Sequence, residues 1–286
     1  MIRELLGRDV VSCVSRAGGD TSPVFEVRLA GEREPVIVKR FRTKRSLAKE
    51  IHVYRLLAER GIGPVPRVLA SGEDYIVLSL VPGRLLGEVS DAMDEAARFA
   101  VYRQLGEFLA RLHEISMDAF GYLVTRIQDP EPDNLAYMTA LFAAELARFG
   151  EQGGDAELAA SVSRYARDRA GLFAGCTQAV LCHNDFHEGN VLIDEHGRIT
   201  GVIDMENVVA ADPLTDIART AGYSIRGDRA KWNGLMAGYG PSALARADVL
   251  PLYRLQHLVE LWNWFAMTGR TERLAGLEDD MREVLT

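Results

Sequence analysis

The residues best suited to chemistry lie in two short segments in the second half of the chain. The first is His183-Asn184-Asp185-Phe186-His187-Glu188-Gly189-Asn190, with the skeleton His-x-Asp-x₄-Asn, between two apolar runs of β-prone residues. The second is Asp204-Met205-Glu206, which follows another apolar run and begins fourteen residues after Asn190. Phosphoryl transfer uses such a set, because one carboxylate orients the attacking hydroxyl and separate oxygen ligands hold Mg²⁺ against the phosphates.

The combination of the two segments is more specific than either one. An isolated Asp-x₄-Asn is a weak signal, because Asp and Asn also favour turns and caps. With His183, the flanking strands and the second acidic segment, the chain resembles the aminoglycoside phosphotransferases. This family shares the protein-kinase-like superfold with choline kinases and related antibiotic kinases. The resemblance also includes Asp212-Pro213-Leu214-Thr215-Asp216-Ile217-Ala218 and extends in layout over most of the chain.

The resemblance implies roles for four residues of these segments. Asp185 is expected to be the catalytic base, or the group that orients the acceptor hydroxyl. Asn190 and Asp204 are expected to hold Mg²⁺. Glu206 is a further candidate ligand, since the family often has an acidic residue two places after the metal-binding Asp.

The resemblance also implies supporting roles around the catalytic loop. His183 is expected to pack the loop against the metal-binding segment, and Asp216 to hydrogen-bond the loop backbone from the start of a helix. His187 lies two residues after Asp185, where protein kinases often have a lysine that neutralises the transferring phosphoryl group. We predict that His187 contacts the substrate, although an ordinary loop histidine is an equal alternative.

The nucleotide-binding prediction centres on a lysine and a glutamate in the first half of the chain. Lys39 ends an apolar run, residues 36–38, and is comparable to the strand lysine that contacts the α- and β-phosphates in kinases. Glu50, eleven residues later on the next predicted helix, is its expected ion-pair partner. The alternative is a surface lysine among the many basic residues nearby, namely Arg40, Arg42, Lys44, Arg45 and Lys49.

The phosphate-covering loop and the purine-binding segment have weaker signals. No kinase glycine-rich motif or Walker A motif is present, and Gly18-Gly19-Asp20-Thr21-Ser22 stands in that place. We predict that Gly19 and Ser22 help to present backbone N–H groups to phosphate, but a simple hairpin turn would have the same composition. Ser79 and Val81, just before Pro82-Gly83, match the hinge where a purine would stack; the alternative is a buried strand.

The acceptor is expected to bind in the acidic second part of the chain, near the catalytic loop. Asp133, Glu260 and Trp264 are the candidate contacts besides His187, and each carboxylate could equally be an ordinary solvated group. Trp262 and Trp264 lie in one predicted helix at i and i+2, so they cannot share a face. At least one of them therefore faces a cleft or another helix.

The elements that must position these residues change in type along the chain. Residues 10–14, 24–29, 36–38, 68–70 and 75–81 are β-prone runs, and a helix over about 47–60 can be capped by Ser46. A long amphipathic helix follows, capped by Ser90, then a polar loop over 121–135 and helices around 136–149 and 155–172. Short strands at 179–181, 191–193 and 199–203 flank the catalytic segments, and helices return from about 214.

We therefore predict an α+β, protein-kinase-like bilobal fold. Residues 1–82 are expected to form a small nucleotide-binding lobe with an antiparallel sheet, and residues 83–286 a larger, mainly helical lobe with the catalytic loop and acceptor site. Pro82-Gly83 breaks the last strand of the first lobe, which is why we place the boundary there.

Charge and composition limit the class of partner. The first lobe has 14 lysines and arginines against 10 acidic residues, whereas the rest of the chain has 19 against 31. A basic first lobe suits polyphosphate and an acidic second lobe suits a cation, while the overall charge of −8 disfavours nucleic acid. No apolar run has the roughly 18 residues of a membrane span. Three widely spaced cysteines and no secretory leader favour a cytoplasmic protein.

The sequence thus predicts an ATP- or GTP-dependent O-phosphotransferase with Mg²⁺ as cofactor. By the family resemblance, the leading acceptor is an aminoglycoside or a related cationic antibiotic. A metabolic kinase for choline, an amino sugar, homoserine or a fructosamine-type amine is the alternative within the enzyme class. A kinase-fold protein that binds nucleotide without catalysis is the alternative from another class. The chain could be a monomer or a homodimer.

Overall fold

The first part of the chain forms one antiparallel sheet with a single helix against it. The structure is a computed structural model that describes residues 7–16 and 22–286. The sheet has the order β1-β2-β3-β5-β4, with β1 (Val10–Arg16), β2 (Val24–Leu29), β3 (Val36–Arg40), β4 (Val68–Ser71) and β5 (Tyr75–Ser79). Every neighbouring pair is antiparallel. Helix α1 (Lys44–Glu59) connects β3 to β4.

The sheet has two faces with different surroundings. Val27, Val38 and Val77 are buried together on one face and form a small separate apolar cluster. Because successive residues of a strand point to opposite faces, Lys39 lies on the other face, toward α1, and is buried to 6% exposure. The strand therefore carries the lysine inward, as the apolar run before it predicted.

Helix α1 begins three residues earlier than the sequence indicated. Thr43, with extended backbone, accepts a hydrogen bond from the backbone N–H of Ser46 and is the N-cap. The prediction that Ser46 caps this helix is therefore wrong, because Ser46 already lies within the first helical turn. Val53, Tyr54 and Leu57 are buried and pack α1 into the main core.

The rest of the chain is mainly helical, with two small sheets. The helices are α2 (Glu95–Leu112), α3 (Asn134–Glu151), α4 (Ala156–Arg169), α5 (Leu214–Thr220), α6 (Arg229–Tyr239), α7 (Leu250–Thr268) and α8 (Leu274–Leu285). Strands β6 (Arg84–Leu85), β10 (Val191–Ile193) and β11 (Ile199–Val202) form one sheet, in the order β11-β10-β6. Strands β7 (Phe120–Leu123), β8 (Ile127–Glu131), β9 (Val180–Cys182) and β12 (Val209–Ala211) form the other, in the order β8-β7-β12-β9. The α+β prediction is confirmed.

Two local predictions in this part are wrong. Residues 121–135 are not a loop, because β7 and β8 pair as a hairpin over most of this range. The polar, proline-containing β8 is the edge strand of its sheet, where such residues are tolerated. Ser90 does not cap the long helix either: α2 begins at Glu95, and Asp94 accepts the capping hydrogen bond from the N–H of Ala97.

Helices α2 and α6 pack closely because glycines replace side chains at their contact. A Cβ on Gly106 would lie 2.2 Å from the carbonyl oxygen of Leu235, and one on Gly238 would lie 1.9 Å from the carbonyl oxygen of Arg103. The helix backbones therefore touch directly, which fixes α6 relative to α2. None of the helices in the described part of the chain is both long and apolar enough to cross a membrane.

A fully buried lysine attaches α1 to the second part of the chain. The Nζ atom of Lys49 donates a hydrogen bond of 2.9 Å to the carbonyl oxygen of Val208 and lies 3.5 Å from the ring centroid of Tyr122. Burial lowers the pKa of Lys49 from 10.5 to about 7, and the nearby charge of Arg45 adds to the shift. An exposed lysine keeps a pKa near 10.5 in the folded protein, so it would not make the free energy of unfolding depend on pH near neutrality.

This lysine makes the stability of the protein depend on pH. Between pH 7 and 10.5 the unfolded chain binds a proton at Lys49 that the folded protein does not, so the free energy of unfolding rises with pH in this window. We predict that the wild type gains about 2 kcal/mol between pH 7 and 9 relative to Lys49→Met. Urea unfolding at pH 7, 8 and 9 measures this difference.

The matched control is Lys44→Met on the same helix, because Lys44 is exposed and pairs with an exposed glutamate, Glu73. The free energy of unfolding of Lys44→Met, plotted against pH, should run parallel to that of the wild type. Parallel curves for Lys49→Met and the wild type would show that the folded protein binds the proton at Lys49 as readily as the unfolded chain.

Candidate active site

The loop between β9 and β10 is held by a buried carboxylate. Asp216, near the start of α5, accepts hydrogen bonds from the backbone N–H groups of His183 (2.8 Å) and Asn184 (2.7 Å) and contacts the Nε2 atom of His113 (3.1 Å). Burial alone would raise the pKa of Asp216, but the contacts with His113 outweigh it and lower the pKa. Asn184 has a φ of 61°, a left-handed conformation that asparagine tolerates better than most residues. Asp216 thus fixes the loop backbone immediately before Asp185.

The same loop is attached to the segment after β11. The Nε2 atom of His183 lies 3.1 Å from the carbonyl oxygen of Ile203, and the backbone N–H of Ile203 donates to the carbonyl oxygen of Asn190. The ring of His183 also packs at its edge against Phe186. These contacts bring Asp204, the residue after Ile203, beside the catalytic loop.

Asp185 lies among polar groups in the centre of the site. Asn190 donates from Nδ2 to the carbonyl oxygen of Asp185 (2.9 Å) and to its Oδ2 (3.3 Å), and Asn207 donates to the same Oδ2 (3.3 Å). The Nε2 atom of His187 is 3.5 Å from Oδ1 of Asp185. Burial opposes ionisation, but the interactions with His187, His183 and Arg219 hold the pKa of Asp185 below its ordinary value. The carboxylate is therefore ionised and can accept a proton.

Lys39 binds three carboxylates from two distant parts of the chain. Its Nζ atom is 2.8 Å from Glu50 Oε2, 2.7 Å from Asp204 Oδ1 and 3.2 Å from Glu206 Oε2. Burial opposes the charge of Lys39, but these neighbours outweigh it and raise its pKa. Burial also raises the pKa of Glu50, and Asp204 adds to that shift against the charge of Lys39. Asp204 has a left-handed φ of 67°, and its N–H donates to the hydroxyl of Tyr54 on α1.

One cleft of about 1030 Å³ contains both Asp185 with its polar neighbours and the ion-pair cluster around Lys39. Eight of the nine predicted nucleotide and metal residues line it: Ser22, Lys39, Glu50, Ser79, Val81, Asn190, Asp204 and Glu206. Asp185 lines it as well. Gly19 lies outside the described residues. The cleft therefore joins the inner face of the first sheet to the catalytic loop.

Three of the four predicted acceptor contacts also line this cleft. They are His187, Glu260 and Trp264. Asp133 is not among the lining residues; it is the N-cap of α3, where its carboxylate accepts from the N–H of Ala136. Trp262 faces the interior and packs against Phe149 with ring centroids 4.2 Å apart. The two tryptophans of α7 thus face different surroundings, as their spacing required.

The sequence analysis missed a polar network under the catalytic loop. One oxygen of Glu188, Oε1, accepts hydrogen bonds from Ser90 Oγ (2.5 Å), Tyr102 OH (2.8 Å) and Lys231 Nζ (2.8 Å). The backbone N–H of Glu188 also donates to Ser224. Glu188 falls inside the motif itself, but its partners come from α2, from α6 and from the segments that precede these helices, so no local spacing could have indicated them.

Two arginines of the cleft were also missed. Arg219 on α5 forms an ion pair with Glu260, and Arg148 on α3 is 2.8 Å from Glu145. Both arginines and both glutamates line the cleft. Arg219 follows Asp216 at helical i,i+3 spacing, so the two lie on neighbouring parts of one helix surface. This spacing is the sequence signal that could have indicated Arg219 as a residue of the site.

Comparison with known proteins identifies the family. Residues 13–250 match the model of the phosphotransferase enzyme family, which covers most of the chain. The chain belongs to this family. An aminoglycoside 3'-phosphotransferase of Streptomyces fradiae is 30% identical over 166 residues, which are 55% of this chain and 58% of that protein. The alignment thus spans little more than half of the length of this curated relative.

Solved structures of phosphotransferases have the same fold. A thermostable mutant of aminoglycoside phosphotransferase APH(4)-Ia has a TM-score of 0.78 at 22% identity, covering 99% of this chain and 97% of that chain. A ternary complex of the same enzyme with ADP and hygromycin B has a TM-score of 0.78 at 19% identity, with coverages of 99% and 96%. A candidate fructosamine-3-kinase from Thermobifida fusca has a TM-score of 0.73 at 21% identity, with coverages of 99% and 96%. The predicted family and the protein-kinase-like fold are confirmed.

The attachment of the loop by Asp216 can be tested by one isosteric change. In Asp216→Asn an amide nitrogen replaces one acceptor oxygen and faces a buried backbone N–H group. We predict that the free energy of unfolding falls by about 2–4 kcal/mol, because charged hydrogen bonds are lost and a buried donor is left unpaired. Urea unfolding measures the loss.

The control variant is Asp133→Asn, which keeps a good N-cap residue on α3. We expect its stability to stay within about 0.5 kcal/mol of the wild type. Equal stability of Asp216→Asn and Asp133→Asn would mean that Asp216 does not hold the loop.

Proposed function

We propose that this protein is an O-phosphotransferase that moves the γ-phosphoryl group of ATP or GTP to a hydroxyl of a small molecule. The observation that carries the proposal is the convergence, in one cleft, of an ionised Asp185 with the cluster of Lys39, Asp204 and Glu206. Membership of the phosphotransferase enzyme family supports the same activity. In the reaction the bond between the β,γ-bridging oxygen and the γ-phosphorus breaks, and the acceptor oxygen forms a new bond to that phosphorus.

Asp185 is the proposed acceptor of the hydroxyl proton. Its carboxylate is ionised, and Asn190 and Asn207 donate to Oδ2. Oδ1, which lies 3.5 Å from Nε2 of His187, is the oxygen proposed to face an incoming hydroxyl. A hydrogen bond to that oxygen aligns the nucleophile, and the proton passes to Asp185 as the new bond to phosphorus forms. Positioning and charge stabilisation supply most of the acceleration in such reactions.

The nucleotide is proposed to bind between the first sheet and the catalytic loop. Lys39 would contact the α- and β-phosphates, and Glu50 holds its side chain in place from α1. Ser79 and Val81 line the part of the cleft where the base would lie, and Ser22 lines it near the phosphates. Gly19 stays a prediction. We also keep the lobe boundary at residues 82–83 as a proposal, since the five-stranded sheet ends at Ser79.

The residues present suit Mg²⁺. The carboxylate oxygens of Glu50, Asp204 and Glu206 lie within 4.8 Å of one another, so negative charge is in excess over the single ammonium of Lys39. Hard divalent cations prefer such oxygen ligands. Asp204 and Asn190 would hold the ion, with Glu206 as a further ligand. When bound, the ion neutralises phosphate charge; the residues of the chain orient the acceptor and take its proton.

The acceptor is proposed to be a small hydroxyl-bearing amine. The Streptomyces fradiae relative is an aminoglycoside 3'-phosphotransferase, and one structural neighbour binds hygromycin B, which supports the aminoglycoside prediction. The candidate fructosamine-3-kinase among the structural neighbours supports the metabolic alternative. A protein that only binds nucleotide would not need Asp185 and its two asparagine donors, so we disfavour that alternative.

Removal of the Asp185 carboxylate tests the proposal. We predict that Asp185→Ala lowers turnover by about 10²–10⁴-fold, the usual contribution of a positioned general base, while the affinity for nucleotide changes less than about threefold. Acceptor-dependent ADP release measures turnover, and calorimetric titration with a non-hydrolysable ATP analogue measures affinity.

The control is Glu195→Gln, which removes an exposed carboxylate from the turn between β10 and β11. Its turnover should equal that of the wild type. Wild-type turnover in Asp185→Ala would exclude Asp185 from the reaction. Absence of acceptor-dependent ADP release for the wild type, with antibiotics and with small amines, would favour the nucleotide-binding alternative.

A further inference from the structure

The acceptor end of the cleft contains two pairs of opposite charges. We define this end as the part lined by residues 145–148 of α3, 219–223 from α5 onward and 257–267 of α7. Glu145 pairs with Arg148, and Glu260 pairs with Arg219. The net charge of −12 on the second part of the chain suggested a surplus of carboxylates here, but these two carboxylates each have an arginine partner.

This end is in direct contact with the catalytic loop. The rings of Tyr223 and His187 are 4.8 Å apart, and Thr220 donates a hydrogen bond of 2.9 Å to the carbonyl oxygen of Phe186. Arg219 is close enough to Asp185 to help lower its pKa. The acceptor end therefore lies beside the loop that carries Asp185.

The carboxylates of the acceptor end already have arginine partners. Among the described residues of the acceptor end, the acidic side chains are Glu145 and Glu260, and both are paired. His257 adds no charge, because burial and the neighbouring Arg219 lower its pKa far below the ordinary value. An ammonium that binds Glu145 or Glu260 therefore competes with an arginine for the same carboxylate.

Displacement of Arg219 is costly. Its side chain is only 8% exposed, so loss of Glu260 leaves a buried cation without its ion-pair partner. The charge of Asp185 acts on Arg219 but is not paired with it. Breaking a buried ion pair by removing one partner is strongly destabilising for this reason. A ligand whose ammonium takes Glu260 therefore binds better if it also brings an anion for Arg219.

Polar atoms around these pairs also lack partners. Nε of Arg219 and Oδ1 of Asn263 are buried and have no hydrogen-bond partner within the described part of the chain. Asn263 uses its other atom, Nδ2, to donate to the side chain of Glu145 at 2.8 Å. Buried polar groups of this kind are usually satisfied, so the site has spare capacity for both a donor and an acceptor of a ligand.

We infer that the acceptor is a hydroxyl-bearing zwitterion, a molecule with both an ammonium and a carboxylate group, rather than a polycation. Its carboxylate binds Arg219, its ammonium binds Glu260 or Glu145, and its hydroxyl faces Asp185. Free hydroxy amino acids and amino acids joined to a sugar belong to this class. The inference rests on the proposed phosphotransferase function and specifies its substrate class.

The test compares matched acceptors that differ only in the carboxylate. ADP release is measured with ATP and Mg²⁺ for L-homoserine and an amino acid–sugar conjugate, for the carboxamide of each, and for aminoglycosides. We expect at least one acid to have a kcat/KM about tenfold or more above that of its amide, through KM, because a charged hydrogen bond is lost in the amide. Aminoglycosides should be poorer acceptors than that acid.

Arg219→Gln should remove the preference for the acid over its amide, and Arg219→Lys should restore part of it. Arg148→Gln is a second variant, at a half-exposed position that tolerates change, and tests the other pair. The control is Arg198→Gln on the exposed turn after β10, which should keep the wild-type preference.

Three results are informative in different ways. Efficient turnover of aminoglycosides, with acids no better than amides, would overturn the zwitterion inference and leave the phosphotransferase function standing. An acid preference that survives in both Arg219→Gln and Arg148→Gln would overturn the assignment to these arginines. No ADP release above background with any acceptor would contradict the proposed function itself, and with it the inference.

Discussion

The arrangement of the cleft depends on one buried ammonium group that three carboxylates share. Lys39 comes from a strand, Glu50 from the next helix, and Asp204 and Glu206 from a segment 165 and more residues away. A buried charge is stable only with partners, so the strand, the helix and the distant segment must stay together for Lys39 to remain where it is. Lys49 adds a second attachment of the same helix, to the carbonyl of Val208.

This constraint reaches Asp185 through backbone contacts. Asp204 is held by Lys39 and by Tyr54, and the residue before it pairs with Asn190 across β10 and β11. Asp216 holds the other end of the loop by its backbone. The Asp185 carboxylate is therefore fixed from both sides, by groups that need not touch a substrate. Such support is what preorganised sites require.

The parts that sequence predicted are those in which chemistry and local spacing coincide. Asp185, Asn190 and Asp204 sit in short motifs beside apolar strands, and Lys39 lies near the end of an apolar strand that turns it inward. The structure brings all four to one cleft. The predictions that were wrong failed because tertiary structure decided the outcome. Thr43 and Ser46 are both good caps, and the backbone turn decides between them. β8 looks like a loop because edge strands accept polar residues.

The two ends of the cleft differ in how their charges are balanced, and this difference was not accessible from composition. At the proposed nucleotide end three carboxylates face one lysine, which is the excess of negative charge that the proposed divalent cation would neutralise. At the acceptor end each glutamate already has an arginine, and only a ligand that carries both charges can replace both partners at once. The net charge of the second part of the chain does not reveal whether its carboxylates are paired. What selects the ligand is the pairing within the site, because a buried charge responds to neighbours within a few ångströms far more than to the screened surface beyond them.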